Sequence, residues 1–323
     1  MRDFTVLVLE GAYPTSVAAT LGILGAAKTL APRLGLAPPS WQVFSIGGGV
    51  IDLLDGISVS TTKLPRRLST DTSVWIVPGL GLNSAKAVQE RFEQTDAQGA
   101  ALAVQAHARA GGTVAASCSG VFVLQAAGLL HGKRATTNWW LAPELKRLEP
   151  GCLLDADRMV CADGNIVTAG AAFAQTDLML HLLRTGFGNA LAEAVSKVLL
   201  IDGRQAQAPF IVPEVYSSGD ELVGRLAAKV EAALPDLPTI GELAQEFCMS
   251  ERTLSRRLKQ ATGKSTLALL QSVRLRRARA LLESSRMTVE QVAVAVGYQD
   301  ATALRRLMKK VTGANPSWYR QTS

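Results

Sequence analysis

Short apolar runs bounded by glycine, proline or aspartate punctuate the first two-thirds of the chain. They are TVLVLE at 5–10, WQVFSI at 41–46, VWIV at 74–77, TVAA at 113–116 and IVTA at 166–169. Runs this short and apolar predict strands buried on both faces. Between them, residues 84–110, 120–130, 172–185 and 189–201 space their apolar positions as helices do. Strands alternating with helices predict an α/β fold, a mostly parallel sheet sandwiched by helices. In such sheets ligands bind beyond the carboxyl ends of the strands. Residues 202–220 carry two prolines, scattered polar residues and no sustained period, which predicts a linker. From 221 to 323 the pattern is helical throughout. The expected organisation is therefore a sheet domain at 1–201, a linker at 202–220 and an all-α domain at 221–323.

The helical part repeats itself. TIGELAQEFCMSERTLSRRLKQATG at 239–263 and TVEQVAVAVGYQDATALRRLMKKVTG at 288–313 follow one pattern. Thr239 and Ala244 correspond to Thr288 and Ala293, whereas Leu254, Arg256 and Gly263 correspond to Leu304, Arg306 and Gly313 one residue further on. A residue inserted in the turn explains the change of offset. Each copy reads as a short helix, a turn and a second helix opened by a capping residue, Ser250 or Asp300. Leu254 and Leu258, like Leu304 and Met308, mark the buried face, with Arg and Lys opposite. Two helices joined by a tight turn, the second one basic, predict helix-turn-helix units whose second helix enters the DNA major groove. Residues 266–287 predict one long helix that spaces the two units.

Charge sharpens this division. Residues 1–219 carry 17 Lys+Arg and 17 Asp+Glu, whereas residues 220–323 carry 17 against 10, so the whole net charge of +7 lies in the last third. That asymmetry predicts a basic module with a nucleic-acid partner, double-stranded DNA once the helix-turn-helix pattern is added, the alternative being a solubilising surface. No apolar run reaches the ~18 to 20 residues of a membrane span. The start, MRDF, lacks a signal-peptide layout, so a cytoplasmic protein without membrane contact is expected. Cys118, Cys152, Cys161 and Cys248 lack zinc-site spacing, and so do His107, His131 and His181. Neither a metal nor a cofactor is expected.

Residues from about 222 to 323 resemble the DNA-binding domain of AraC-type regulators. The resemblance is carried by LRRARALL in the long helix, VAVAVGY in the second unit, and the closing Gly313, Pro316, Tyr319 and Arg320. It implies that Arg252, Ser255, Arg256, Thr302, Arg305 and Arg306 face bases, and that Lys259, Lys309 and Lys310 hold phosphates. Arginine suits guanine because its planar fork meets two acceptors at once, whereas lysine acts as a point charge.

The stretch VAASCSGVFVLQAAGLL at 114–130 reads as strand, sharp turn and helix, the layout of a nucleophile elbow with Cys118 at its tip. With PGLG at 78–81, ATTNW at 135–139 and TAGAAFAQTDLMLHLL at 168–183, it resembles the PfpI-like branch of the class I glutamine amidotransferase superfamily. The variant it is similar to is the one fused to AraC-type domains in GlxA-like regulators. The resemblance implies a flavodoxin-like sheet and homodimerisation. It also implies an effector such as betaine, carnitine or an arginine-like zwitterion.

Enzymes of that superfamily pair the cysteine with a histidine and commonly an acidic residue, because a thiol near pKa 8.5 needs a base. Here Asn138 stands where related sequences often have histidine, Ser16 where an acid is expected, and Ser119 where proteolytic relatives carry another histidine. The reading is an elbow without its catalytic partners, hence not an enzyme. A cysteine-dependent hydrolase or amidase using Cys118 stays open as the alternative. An empty elbow is still a pocket: amides at Cys118, Ser119, Gly79 and Gly81 suit an anion, and Tyr13 and Trp139 suit a cationic group. The alternative for Trp139 and Trp140 is a core or dimer contact.

Overall fold

The computed structural model describes residues 3–65, 71–156, 158–201, 221–262, 265–312 and 315–319. The chain divides into two compact units, Met1–Arg204 and Gln205–Ser323. The expected linker at 202–220 lies outside the described residues, as do Gly263, Gly313 and Arg320.

In the first unit, β1 (Phe4–Leu7), β2 (Trp41–Ser45), β5 (Val74–Val77), β6 (Val114–Ser117) and β10 (Ile166–Ala169) are the five expected strands. They lie in the order β2-β1-β5-β6-β10, all parallel, the second-first-third-fourth-fifth arrangement of a flavodoxin-like sheet. Three strands that the apolar pattern does not show complete the eight. β3 (Gly49–Asp52) and β4 (Ser58–Lys63) form an antiparallel pair beyond β2, and β9 (Val160–Asp163) runs antiparallel to β10. β3 and β9 are the edges of the sheet and bury one residue each, and β4 (SVSTTK) buries none fully, so none of the three carries an apolar signature. A separate small pair joins β7 (Arg134–Ala135) to β8 (Leu153–Leu154).

Helices cover both faces of the sheet. These are α1 (Pro14–Leu30), α2 (Ala85–Phe92), α3 (Thr95–Arg109), α4 (Val121–Ala126), α5 (Ala142–Leu148), α6 (Ala174–Phe187) and α7 (Asn189–Val198). Phe4 stacks on Phe187 of α6, centroids 6.0 Å apart, while Trp75 stacks on His107 of α3 at 4.6 Å. Thr5, not Phe4, is paired with Trp75, so the two stacks lie on opposite faces. The single helix expected over 84–110 is two, broken at Glu93 and the extended Gln94. Arg91 spans the break with a bidentate pair to Asp96 and donates to the Glu10 carbonyl at 3.1 Å.

Helix α1 has no counterpart among the expected helices. Its buried face mixes Ser16 and Thr20 with Val17, Ile23, Leu24 and Ala27, which blurs the apolar stripe. The hydroxyls are satisfied locally: Thr20 donates to the Ser16 carbonyl at 2.8 Å.

The second unit is helical: α8 (Glu221–Ala232), α9 (Ile240–Glu246), α10 (Glu251–Thr262), α11 (Thr266–Ser284), α12 (Val289–Ala295) and α13 (Ala301–Thr312). A short 3-10 turn follows at Pro316–Tyr319. Two separate apolar cores form. One gathers α8, α9 and α10 with the start of α11, and the other gathers the rest of α11 with α12 and α13. Both first helices open with reciprocal capping boxes, Thr239 with Glu242 and Thr288 with Gln291. Ser250 accepts from the Thr253 amide at 3.2 Å, and Asp300 accepts from the amides of Thr302 and Ala303 at 2.6 and 3.1 Å.

Candidate functional site

The second helix of each unit presents its basic residues outward. Burying Leu254 and Leu258 turns Arg252, Arg256 and Lys259 to solvent on α10. Burying Leu304 and Met308 does the same for Thr302, Arg305, Arg306 and Lys309 on α13. The side chain of Lys310 lies outside the described residues. Two of the expected base-facing residues are engaged within the protein. Ser255 is half-buried, its hydroxyl 3.1 Å from that of Thr266, and Arg305 is paired with Glu290 of α12 at 2.6 Å. A hydrogen bond from its own backbone amide, followed by the one from the Arg305 guanidinium, holds the Glu290 carboxyl below the usual range. Ala303 also lies exposed on this face.

The elbow is built by close backbone approach. Cys118 sits at φ 51, a left-handed conformation that non-glycine residues rarely hold. Its N–H donates to the Gly170 carbonyl at 2.6 Å, tying the elbow to the end of β10. A Cβ at Gly120 would lie 2.6 Å from the Pro78 carbonyl oxygen, and one at Gly79 would lie 3.0 Å from Cys118 Cβ and 3.1 Å from Ser16 Oγ. Glycine at these two positions lets the turn after β5 close against the elbow. The Tyr13 amide then donates to the Gly79 carbonyl at 2.7 Å, and the Ser119 hydroxyl donates to the Leu80 carbonyl.

Asn138 Nδ2 lies 3.4 Å from Cys118 Sγ, and Thr137 Oγ1 donates to the Cys118 carbonyl at 2.8 Å. The structure thus brings Ser16, Gly79, Cys118, Ser119 and Asn138 together, with the Tyr13 backbone beside them. Trp139 follows Asn138, buried and edge-on to Trp140 at 5.6 Å.

The surroundings keep this thiol neutral. Cys118 is 5% exposed, and burial pushes its pKa up to about 11 against the hydrogen bonds from Ser119 and Asn138 that favour the thiolate. An amide cannot take the proton. The three histidines make their contacts elsewhere: His107 stacks on Trp75 and His131 faces Glu149 at 3.1 Å. His181 lies on α6, its pKa lowered by burial and by Arg184.

The expectation of an amide cradle for an anion changes. The Cys118 amide is committed to Gly170, the Gly81 amide donates to the Gly11 carbonyl at 3.1 Å, and the Ser119 amide is directed at the thiol. What the elbow offers instead is buried uncharged polar groups. Ser117 Oγ at the end of β6 and Gln175 Oε1 on α6 are buried without a hydrogen-bond partner among the described residues. Gln175 Nε2 donates to Thr20 at 2.7 Å, and the Ser16 hydroxyl reaches the Ala172 carbonyl at 3.5 Å. Buried polar atoms of this kind are the ones a polar guest satisfies. Their sequence signal is weak: a glutamine inside an apolar helix pattern and a serine inside a strand. Two surface hollows of about 290 and 370 Å³, sharing Phe92 and Ala126, lie over α2 to α5 and include none of the expected site residues.

Comparison with known proteins adds the following. Residues 72–185 match the DJ-1/PfpI family, and residues 243–322 match a helix-turn-helix domain family. The HTH-type transcriptional regulator GlxA of Rhizobium meliloti is 26% identical, the match covering 93% of this chain and 90% of that protein. The HTH-type transcriptional regulator GbdR of Pseudomonas aeruginosa is 26% identical over 91% of this chain and 88% of its own. For the HTH-type transcriptional regulator CdhR of the same species the identity is 27%, over 98% and 90%.

Proposed function

This chain is a DNA-binding transcriptional regulator of the AraC family with a PfpI-like domain, and from that premise we propose that the PfpI-like domain is a non-catalytic sensor and dimerisation module. Residues 1–201 bind a small nitrogenous metabolite, residues 202–220 link, and residues 221–323 read double-stranded DNA. The observation that carries the non-catalytic reading is the state of Cys118: buried, held by Asn138 and pushed up to about 11. A hydrolase mechanism needs a thiolate and a proton acceptor, and the side chains touching this sulfur supply no acceptor.

In this reading Tyr13, Ser16, Gly79, Gly81, Cys118, Ser119, Asn138 and Trp139 form the effector site. Arg252, Arg256, Thr302 and Arg306 meet base edges, joined by Ser255 and Arg305 once their internal partners release them. Lys259, Lys309 and Lys310 hold phosphates. An effector regulates by binding one arrangement of the DNA-reading dimer better than another, since only a difference in affinity shifts the populations.

A thermal-shift screen of amino acids, betaines, polyamines and nucleotides against the full-length protein tests the sensor. A ligand present at ~100 times its dissociation constant stabilises the folded state by ~2.7 kcal/mol. A hit that Trp139→Ala or Cys118→Ala removes identifies signal and pocket together. A panel without a hit, from protein that still binds DNA, counts against the sensor.

A further inference from the structure

The two helix-turn-helix units share a turn but not its surroundings. Each turn contains one left-handed residue, Cys248 at φ 53 in the first and Gly297 at φ 82 in the second. They occupy the same place in the repeat, 49 residues apart. Cys248 is exposed, so this turn can carry a side chain. At Gly297 a Cβ would overlap the Pro235 carbonyl oxygen and lie 3.3 Å from Arg274 Nη2. What packs against the second turn, rather than the turn itself, excludes a side chain there.

Both packing groups come from elsewhere in the domain. Pro235 precedes α9 and belongs to the entry of the first unit. Arg274 lies midway along α11, between Val273 of the first core and Leu275 of the second. Its guanidinium lies 4.9 Å over the ring of Tyr298, the residue after Gly297, and its charge and hydrogen bond oppose the burial that raises the tyrosine pKa. Arg274 Nε is buried without a hydrogen-bond partner among the described residues. The contacts with Tyr298 offset the cost of that unsatisfied N–H and tie the middle of α11 to the second turn.

We propose that Pro235, Arg274 and the Gly297–Tyr298 turn form a clamp that fixes the rotational phase between recognition helices α10 and α13, so that Arg274 sets which spacing of DNA sub-sites the protein accepts. The inference rests on DNA reading by both units. Arg274 acts as a positioning residue: it holds the second turn, and the turn aims α13. Lysine does not replace it, because an ammonium lacks the planar face that stacks on Tyr298.

The test uses full-length protein and duplexes derived from a site selected out of random DNA, with the sub-sites moved apart or together one base pair at a time. A second duplex carries one sub-site alone. Each added base pair rotates the second sub-site by about a tenth of a turn. The wild-type protein is expected to lose about tenfold in affinity one base pair from the optimum, which is about 1.4 kcal/mol. Arg274→Met, which keeps bulk and removes charge, and Arg274→Lys flatten that profile to about twofold and leave single-sub-site affinity within about twofold. Equal weakening at every spacing and on the single sub-site would overturn the clamp, because a merely destabilised domain behaves that way. An unchanged profile overturns it as well. Arg256→Ala, measured in parallel, keeps the outcomes distinct: if it relaxes base preference while the Arg274 variants leave spacing untouched, the clamp fails and the DNA reading stands.

Discussion

The elbow and the recognition helices hold the most reactive and the most charged side chains of the chain, and solvent treats them oppositely. At the elbow, Ser16, Cys118, Ser119 and Asn138 are buried, and burial drives the thiol up to about 11. On α10 and α13, Arg252, Arg256 and Arg306 stand in solvent. A buried thiol held neutral is a poor nucleophile, because the thiolate is the reactive form. A guanidinium in water keeps its charge and waits for an anionic partner. The two regions therefore differ in kind: one encloses uncharged polar groups and the other displays charges.

The largest effect expected from this contrast is on stability at alkaline pH. Unfolded, the Cys118 thiol ionises near its ordinary value of 9.0; folded, it resists to about 11. Because the folded pKa is the raised one, the contribution is fully present below pH 9 and is lost as pH rises towards 11. A displacement of that size is worth roughly 3 kcal/mol. Denaturant titrations of Cys118→Ser should show a correspondingly flatter loss across this window; an unchanged slope would mean that the sulfur is solvated.

Next come the displayed residues. Arg256→Ala and Arg306→Ala should each cost ~1 to 3 kcal/mol of DNA affinity and relax preference at one or two base pairs. Lys259→Ala and Lys309→Ala should weaken all sequences alike and reduce the salt slope by about one. Arginine variants that also weaken all sequences alike would assign those arginines to phosphates.

Ser250→Ala removes the cap of α10 and should cost ~1 kcal/mol of domain stability without changing which bases are preferred. The smallest change belongs to Glu290→Gln, which releases Arg305 from its exposed ion pair. DNA affinity at low salt should rise by less than about twofold, since exposed pairs contribute little.

The sequence makes the display side readable for the same reason that DNA can read it. Two copies of one pattern, matched caps at Ser250 and Asp300 and arginines at equivalent places leave a periodic trace. The five central strands are legible because they are short, mostly apolar runs, four of them buried along nearly their whole length. The rest is hidden where burial and polarity mix. Helix α1 buries Ser16 and Thr20, so its stripe is broken, and β4, which lies between β3 and β2, is written in serine and threonine. The elbow tip at Cys118 is plain in ASCSG, but the fate of its amides is not. Gly170 and Gly11 take the N–H groups of Cys118 and Gly81 through contacts that no local pattern encodes. The three-way packing of Pro235, Arg274 and Gly297 is likewise visible only in the fold.

The central contrast is tested most directly by the pH dependence of Cys118 alkylation in the full-length protein, resolved by peptide mass spectrometry with the exposed Cys248 as internal reference. The account predicts that Cys118 reacts far more slowly than Cys248 at pH 7 and that its rate keeps climbing beyond pH 10. A Cys118 rate that exceeds that of Cys248 and levels off near neutral pH would reveal an activated thiolate and contradict the silent elbow.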